Sequence, residues 1–241
     1  MFSAIIHDYW RSVFTAGEDV FDNADLSVKI NPELDEDEKG ALLKVDGKSF
    51  ISLQPETAAL LDLTSIHPLS ETVLTQKMAE HGLQLYGADN LFYLADGEAT
   101  GFAEPATNVR QLTTDDAAIF DQFCAKASEE DLDAAYVELD HWLVYGAFEN
   151  NELVCASSMY AWNQSNLADL GVLTLPDFRG KGYARAVVQA ICRHAAEAGF
   201  EPQYRCQLDN AASVQLAKAT GFKLFGTWDI FVAAPNEEKA A

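Results

Sequence analysis

Basic residues are scarce in this chain of 241 residues, which carries 16 Lys and Arg against 38 Asp and Glu and a formal net charge of −22. So acidic a chain repels phosphate and anionic lipid, which argues against a nucleic-acid binder and against docking on a membrane. The acidity is compatible with a cationic partner and equally with plain solubility. Hydrophobic residues make up 49% of the chain, which is enough for a packed core and too much for wholesale disorder.

Cysteine is also scarce, and the spacing of the four cysteines matches neither a C-x-x-C pair nor a zinc site. The first residues do not resemble a signal peptide, and no run approaches the roughly 20 apolar residues that cross a bilayer. We therefore expect reduced thiols, no metal site, no membrane partner and a cytoplasmic location.

A turn-rich stretch over residues 96–108, with two glycines and a proline, divides the chain. We place a domain boundary there and predict an N-terminal α/β domain over 1–105 and a second domain over 106–241. The first domain contains no catalytic motif. A helix is expected over 2–15 and an Asp-Gly hairpin over 41–53, and two further helices are expected to begin at Pro55 and after Ser70.

The second domain shows the order β-α-(α)-β-β-β-α-β-α-β, which predicts a mixed α/β sheet. The individual strands and helices are predicted from hydrophobic patterning and from turn residues. The strands are expected at 109–112, 143–148, 153–160, 167–175, 204–208 and 223–233, and the helices at 113–127, 181–198 and 210–220.

The most informative stretch runs from Leu167 to Ala184, where a strand, a glycine-bearing turn and a helix follow one another. The first amides of a helix have no helical partner and carry partial positive charge, so such a turn is an anion site, most often for phosphate. Between Val172 and Phe225 there are seven basic and four acidic residues, a local balance of +3 in a chain of −22. An anionic ligand is therefore expected in this region.

Two common phosphate loops do not fit the turn. A P-loop needs Ser or Thr after Gly-Lys, where Gly182 stands, and a dinucleotide fingerprint needs a third glycine where Arg185 stands. The pattern present is Arg-x-x-Gly-x-Ala, from Arg179 to Ala184. Taken alone, the same pattern also describes an ordinary glycine turn behind a surface cation.

Together with a second motif, this stretch resembles the GNAT superfamily of N-acetyltransferases. Their acyl-CoA motif is Arg/Gln-x-x-Gly-x-Gly/Ala after a strand that ends near proline, and the strand here ends at Pro176. The segment 210–222 begins with Asn, contains Leu and closes with Gly-Phe, which is similar to the family's second motif. The resemblance covers about residues 108–233 and leaves the N-terminal part outside.

The resemblance implies a GNAT-like fold, a splayed mixed sheet that holds acetyl-CoA, the acyl donor, in its cleft. Backbone groups of Val172, Leu173 and Thr174 would pair with the pantetheine arm. Asn210 would lie beside that arm. The acetyl group would pass directly to an amine through an oxyanion held by a backbone N–H near the end of the 167–175 strand. The pyrophosphate would be held by the turn and the helix start, through Arg179, Gly180, Lys181, Gly182, Tyr183, Ala184 and Arg185.

The sequence departs from the family at two positions used for proton transfer. Ala168 stands where many members carry Glu, and Ala217 stands where many carry Tyr. An alkylamine, with a pKa near 10.4, must lose a proton before it attacks. Asp169 is our candidate catalytic base, although alternation along a strand turns it away from the side of Ala168. The other candidates are Glu138, Asp140, His141 and Tyr160.

Two functions therefore stay open. One is an acetyl-CoA-dependent N-acetyltransferase whose acceptor is an amine of a small molecule or a protein, with the acidity of the chain favouring a cationic acceptor. The other is a non-catalytic sensor that binds acyl-CoA. The N-terminal domain could be a degenerate GNAT-like half, a module that recognises the acceptor or a surface for a homodimer.

Overall fold

The computed structural model describes residues 1–34, 37–63 and 68–234. Within these ranges lie seven α-helices and twelve β-strands. The helices are α1 Ala4–Thr15, α2 Pro55–Leu61, α3 Glu71–Glu80, α4 Ala117–Cys124, α5 Glu129–Ala135, α6 Tyr183–Glu197 and α7 Ala211–Thr220. The strands are β1 Glu18–Asp22, β2 Leu26–Ile30, β3 Gly40–Val45, β4 Lys48–Leu53, β5 Leu83–Leu85, β6 Asp89–Tyr93, β7 Val109–Gln111, β8 Leu143–Glu149, β9 Glu152–Ala161, β10 Leu167–Thr174, β11 Glu201–Gln207 and β12 Lys223–Ala233.

The chain divides into two compact units. The larger unit comprises residues 1–7, 92–206 and 210–224, and the smaller unit comprises 8–91, 207–209 and the chain from Phe225. Each unit has its own cluster of buried apolar side chains. The boundary expected between residues 105 and 106 stays a prediction.

The larger unit contains the strand order β11-β10-β9-β8-β7. Its neighbouring strands are antiparallel except for β10 and β11, which run parallel. The expected mixed sheet is therefore confirmed. Helix α6 packs against β8, β9 and β10, and the short helices α4 and α5 pack against β9 and β10 respectively.

The helix α6 forms because its apolar residues recur on one face. Val187, Ile191 and Ala195 follow one another at spacings of four residues and are fully buried. Gly182 precedes the helix with a φ of 87°, and Gly199 follows it with a φ of 85°. The helix expected over 181–198 is confirmed, and its start is fixed beside the glycine turn.

The smaller unit contains the strand order β1-β2-β4-β3-β12, and β5 also pairs with β12. The expected hairpin is confirmed, because Asp46 and Gly47 have φ values of 52° and 80° between β3 and β4. Ser70 caps α3 by accepting a hydrogen bond from the amide of Val73 at 3.3 Å.

Two strands of the smaller unit, β1 and β2, lie in an acidic stretch of the sequence for which the sequence analysis predicted no strand. Leu26 and Val28 are buried on β2, while the acidic side chains of β1 lie outward. Asp19 pairs with Lys29 at 2.6 Å, and this exposed pair adds little stability. The many acidic residues of this stretch hid the alternation of apolar and polar residues in β2. The packing of Leu26 and Val28 makes this stretch a strand.

Candidate active site

The candidate site begins where β10 and β11 stop pairing. Their residue pairs run from Leu167 with Glu201 to Leu170 with Tyr204, whereas β10 continues to Thr174 and is paired with β9 from Ala168 to Thr174. Beyond Leu170, the backbone edge of β10 on the side of β11 is therefore left for another partner. This divergence of β10 from β11, called the fork below, corresponds to the splayed sheet that the resemblance to the GNAT superfamily implied.

The glycine turn after β10 presents backbone amides. Gly180 and Gly182 have φ values of 76° and 87°, and a Cβ at either position would meet no protein atom within 4 Å. The first hydrogen bond of α6 runs from the amide of Ala186 to the carbonyl of Gly182 at 3.1 Å. The backbone amides of Tyr183, Ala184 and Arg185 therefore have no helical partner and suit an anion.

Three cations surround the turn in different ways. Arg179 pairs with Asp131 of α5 at 2.9 Å and donates from Nε to the carbonyl of Thr174 at 3.1 Å. Lys181 lies 3.4 Å from a carboxylate oxygen of Glu149, with its ammonium over the ring of Phe178. Arg185 is exposed on the first turn of α6.

A cavity of about 620 Å³ joins the fork and the turn. Most of the predicted cofactor residues line it: Val172, Leu173, Thr174, Arg179, Gly180, Gly182, Tyr183, Ala184, Arg185 and Asn210. Lys181 and Asp169 do not belong to its lining. The Asn210 side chain caps α7 by accepting from the amide of Ser213 at 3.0 Å, so the cap also fixes a polar group at the cavity.

Several lining residues were missed by the sequence analysis. Asp131 and Ala135 belong to the short helix α5, which the sequence indicated only as an optional element. Ser128 caps that helix by accepting from the amide of Asp131 at 3.1 Å, and a Ser followed by three acidic residues is the signal that could have located it. Tyr204 of β11 also lines the cavity, although the sequence predicts only a strand at this position.

Asp169 lies on the opposite face of β10 from Ala168, which packs in the cluster below α6. Its buried carboxylate accepts hydrogen bonds from the Tyr160 hydroxyl at 2.9 Å, from Gln203 Nε2 at 2.9 Å and from two nitrogens of Arg205 at 3.1 Å. The orientation expected from strand alternation is correct. The carboxylate also forms an ion pair with Arg205. A buried ion pair is stable only when hydrogen bonds such as these satisfy its remaining polar atoms.

Three aromatic rings gather beside Asp169, those of Tyr136, His141 and Tyr160, with centroids 5.0–5.6 Å apart. The Nδ1 of His141 lies 2.8 Å from the hydroxyl of Ser158, and burial lowers the pKa of His141 despite the nearby Glu138. Burial and the charge of Asp169 raise the pKa of Tyr160. Tyr160 and His141 thus form one group with Asp169, while the other two candidates, Glu138 and Asp140, are exposed beside it, with Glu138 3.9 Å from His141 Nε2.

A family model of GNAT acetyltransferases matches residues 96–231. The chain belongs to the GNAT acetyltransferase family. Among solved structures, a GNAT-family acetyltransferase from Colwellia psychrerythraea is 20% identical with a TM-score of 0.51, over 80% of this chain and 81% of that one. A GNAT-family acetyltransferase from Novosphingobium aromaticivorans is 18% identical with a TM-score of 0.51, over 64% of this chain and 69% of that one. These likenesses show the GNAT fold.

A curated relative, the uncharacterized N-acetyltransferase YdfB of Bacillus subtilis (strain 168), is 32% identical to this GNAT chain over 66 residues. That match spans 27% of this chain and only a quarter, 25%, of the relative's own length. Residues 1–95 lie outside the range that the GNAT family model covers. Among the described residues, none of the helices is both long and apolar enough to span a bilayer.

Proposed function

We propose that this protein is an acetyl-CoA-dependent N-acetyltransferase that transfers an acetyl group directly to an amine of a small molecule or a protein. One observation carries the proposal: the glycine turn, the start of α6 and the open edge of β10 all line one cavity. Its volume of about 620 Å³ lies within the range of about 300–1,000 Å³ typical of small-ligand sites. When bound, the thioester supplies the acyl group that the amine takes.

The start of α6 suits the pyrophosphate of such a donor. The amides of the glycine turn and of the first helical turn lack helical partners, and the helix adds partial positive charge. Arg179 and Arg185 bring full charges to the same lining. Lys181 does not line the cavity. Its ammonium group would have to leave Glu149 before it could contact a pyrophosphate.

The open edge of β10 suits the amide-bearing arm. Alternate residues between Val172 and Thr174 turn their backbone groups toward β9 and toward the open edge, where an extended arm can hydrogen-bond as an added strand does. The carbonyl of Thr174 already accepts from Arg179 Nε. Asn210 lies at the same lining, and its cap to Ser213 uses only the side-chain oxygen. Its amide nitrogen is a separate donor for the arm.

For the amine proton we keep Asp169 as the proposed base, with His141 as its main competitor. Asp169 supplies a buried negative charge to the group of aromatic rings, and Tyr160 bonds to it directly. His141 offers a neutral imidazole, because its pKa is lowered by burial. A base in this group would take a proton from an amine that approaches from the side of α5.

Calorimetric titration with acetyl-CoA tests the donor half of the proposal. We expect binding by the wild-type chain and none by Gly182→Glu, which places a like charge at the pyrophosphate. Gly199→Glu is the matched control, since Gly199 has a φ of 85° and equally open surroundings at the far end of α6. Absence of binding by the wild-type chain at about 1 mM ligand would refute the proposal.

A panel of amines and peptides, followed by release of free CoA, tests the acceptor half. Asp169 is held by three donor side chains, and Ala168 and Ala217 carry no proton-transfer group, which favours the sensor as a second candidate. CoA release above the rate of slow hydrolysis with any amine supports the transferase. Tight binding without turnover on the whole panel supports the sensor.

The cationic character of the acceptor, the homodimer and the role of the N-terminal domain stay predictions. A cytoplasmic location also stays a prediction. Light scattering of the full chain measures the oligomeric state directly.

A further inference from the structure

Three aromatic side chains gather at the end of α5, beside the fork. Tyr136 follows Ala135, which lines the cavity, and the carbonyl oxygen of Tyr136 lies 3.0 Å from the position of a Cβ on Gly171. The ring centroid of Tyr136 lies 5.0 Å from that of His141 and 5.6 Å from that of Tyr160. The centroids of His141 and Tyr160 are 5.1 Å apart. The three rings therefore lie next to the cavity at its fork end.

These rings form a corner that solvent can reach. Tyr136 is 51% exposed and Tyr160 is partly exposed, whereas the side chain of His141 is mostly buried. The ring planes are inclined to one another by 47° to 85°, so the rings do not form a stack. A cation that rests on all three rings lies within the roughly 6 Å of each centroid over which aromatic faces attract a positive charge.

Tyr136 holds its ring there at a backbone conformation that is unfavourable for tyrosine. It ends α5 with a φ of 46° and a ψ of 49°, in the left-handed region where Gly or Asn is usual. Such a conformation costs stability, and residues that keep it cluster at active sites and ligand clamps. The half-exposed ring of Tyr136 adds little to the packing of the core. A ligand therefore explains this ring better than stability does.

The charges beside the rings favour a positive ligand. A carboxylate oxygen of Glu138 lies 3.9 Å from His141 Nε2, and the Glu138 side chain is half exposed. Asp140 is exposed next to it. The sequence contains no Lys or Arg between Lys126 and Arg179. The segment that carries two of the three rings is therefore acidic and attracts a cation.

The nearest cation, Arg205, is balanced by the protein itself. Its guanidinium donates twice to the carboxylate of Asp169 at 3.1 Å and lies over the ring of Trp162 at 4.3 Å. The imidazole of His141 is uncharged at neutral pH, because burial lowers its pKa. The negative charge of Glu138 therefore remains to attract a ligand.

We propose that the rings of Tyr136, His141 and Tyr160 bind a cationic group of the acceptor, so that the acceptor is an amine that carries a second positive charge. The inference rests on the proposed function. The nitrogen that attacks the thioester must be neutral, whereas aromatic faces and carboxylates favour a charged nitrogen. The charge on the rings therefore belongs to a second group of the same molecule, such as the far end of a diamine. Because the rings lie beside Gly171, only a few bonds separate the two groups.

Choline and dimethylbutanol, the alcohol in which carbon replaces the choline nitrogen, test the ring site without donor or turnover. The two probes have the same shape, and only choline is charged. Chemical shifts of the backbone amides of the full chain give both dissociation constants. We expect the wild type to bind choline at least about tenfold more tightly than dimethylbutanol. Equal affinities, or choline-induced shifts that lie away from Tyr136, His141 and Tyr160, overturn the inference.

Two variants of Tyr136 separate the aromatic ring from the size of the side chain. Tyr136→Phe should keep the wild-type affinity for choline, and Tyr136→Leu should lose about three- to tenfold. Both keep a large apolar side chain at a half-exposed position, so their melting temperatures should be similar. Tyr86→Leu, at an exposed tyrosine of the smaller unit, is the matched control and should bind choline as the wild type does. Undiminished affinity in Tyr136→Leu overturns the inference.

Diaminobutane and butylamine test the class of acceptor in the presence of CoA, which has no acyl group to transfer. The diamine carries the second positive charge and butylamine lacks it. We expect the wild type to bind the diamine at least about tenfold more tightly and Tyr136→Leu to lose most of this preference. Equal affinity of the wild type for the two amines overturns the inference, whereas the proposed function depends separately on the titration with acetyl-CoA.

Discussion

The carbonyl oxygen of Ala135, at the end of α5, occupies the space that a Cβ on Gly171 would need. Gly171 lies on β10 directly after the last pair with β11. The absence of a side chain lets α5 lie on the strand at the fork. The helix can then contribute its residues to the cavity.

Gly171→Ala should therefore destabilise the protein and distort the cavity. We expect a loss of about 1–3 kcal/mol in the free energy of unfolding, the usual cost of overpacking, and a weaker affinity for acetyl-CoA. Gly101→Ala is the control, because its φ is not positive and a Cβ there meets nothing within 4 Å. Urea denaturation and calorimetry measure the two effects, and equal stability of both variants would contradict the close contact.

Asp131→Asn should tighten the binding of acetyl-CoA. Asp131 lines the cavity and pairs with Arg179, so it competes with a pyrophosphate for that guanidinium. Removing its charge should lower the dissociation constant about three- to tenfold at low salt, with a smaller gain at high salt. Asp177→Asn changes the net charge equally outside the cavity lining and should alter affinity less. Weaker binding by Asp131→Asn would show that the acid positions Arg179 for the ligand.

Asp169→Asn should lower both stability and turnover. It leaves the Arg205 guanidinium, whose side chain is 22% exposed, beside a neutral partner, and breaking such a pair costs about 3 kcal/mol. Adding Arg205→Gln should recover part of that loss, which a double-mutant cycle in urea measures. Affinity for acetyl-CoA should persist, because Asp169 does not line the cavity. Undiminished turnover would remove Asp169 from the candidate bases.

His141 should make stability depend on pH. Burial lowers the pKa of His141 below its ordinary 6.5, so the unfolded chain binds this proton more readily than the folded one. The stability that depends on neutral His141 is fully present above pH 6.5 and is lost as the pH falls below that value. Comparison of urea midpoints at about pH 7.5 and about pH 5.5 should show a smaller difference for His141→Gln than for the wild type. An unchanged difference would assign the pH dependence to other groups.

Thiol labelling should follow burial. The pKa of Cys155 is raised to about 12 by burial, and that of the fully buried Cys192 is raised as well. Cys124 is only partly buried, and burial and Asp121 raise its pKa less markedly. Mass spectrometry after brief iodoacetamide treatment of the folded protein should find Cys124 modified first. Equal labelling of Cys155 would show that β9 and β10 open locally.

Much of the larger unit could be predicted because its signals are local. Asn210 before α7, Gly221 after it and the glycine turn before α6 are caps whose physics acts within a few residues. The parallel pairing of β10 with β11 follows from the helix between them. Ten of the eleven predicted cofactor residues line the cavity, while Lys181 turns to Glu149, a partner 32 residues away in sequence.

The rest of the candidate site could not be predicted, because its contacts join residues that are far apart in the sequence. Gln203 and Arg205 of β11 reach Asp169 only because the parallel register places Gln203 opposite it. The group formed by Tyr136, His141 and Tyr160 joins a helix cap, a loop and a strand. No periodicity connects such residues, so their assembly becomes visible only in the fold.

The carbonyl of Ala135 also leaves almost no room for a side chain at Gly171. A library of all single substitutions, sequenced before and after selection for folded protein, should therefore lose nearly every variant of Gly171 and keep most variants of Gly101, where a Cβ meets nothing within 4 Å. The sequencing counts would then report the contact between α5 and β10 without any ligand or acceptor.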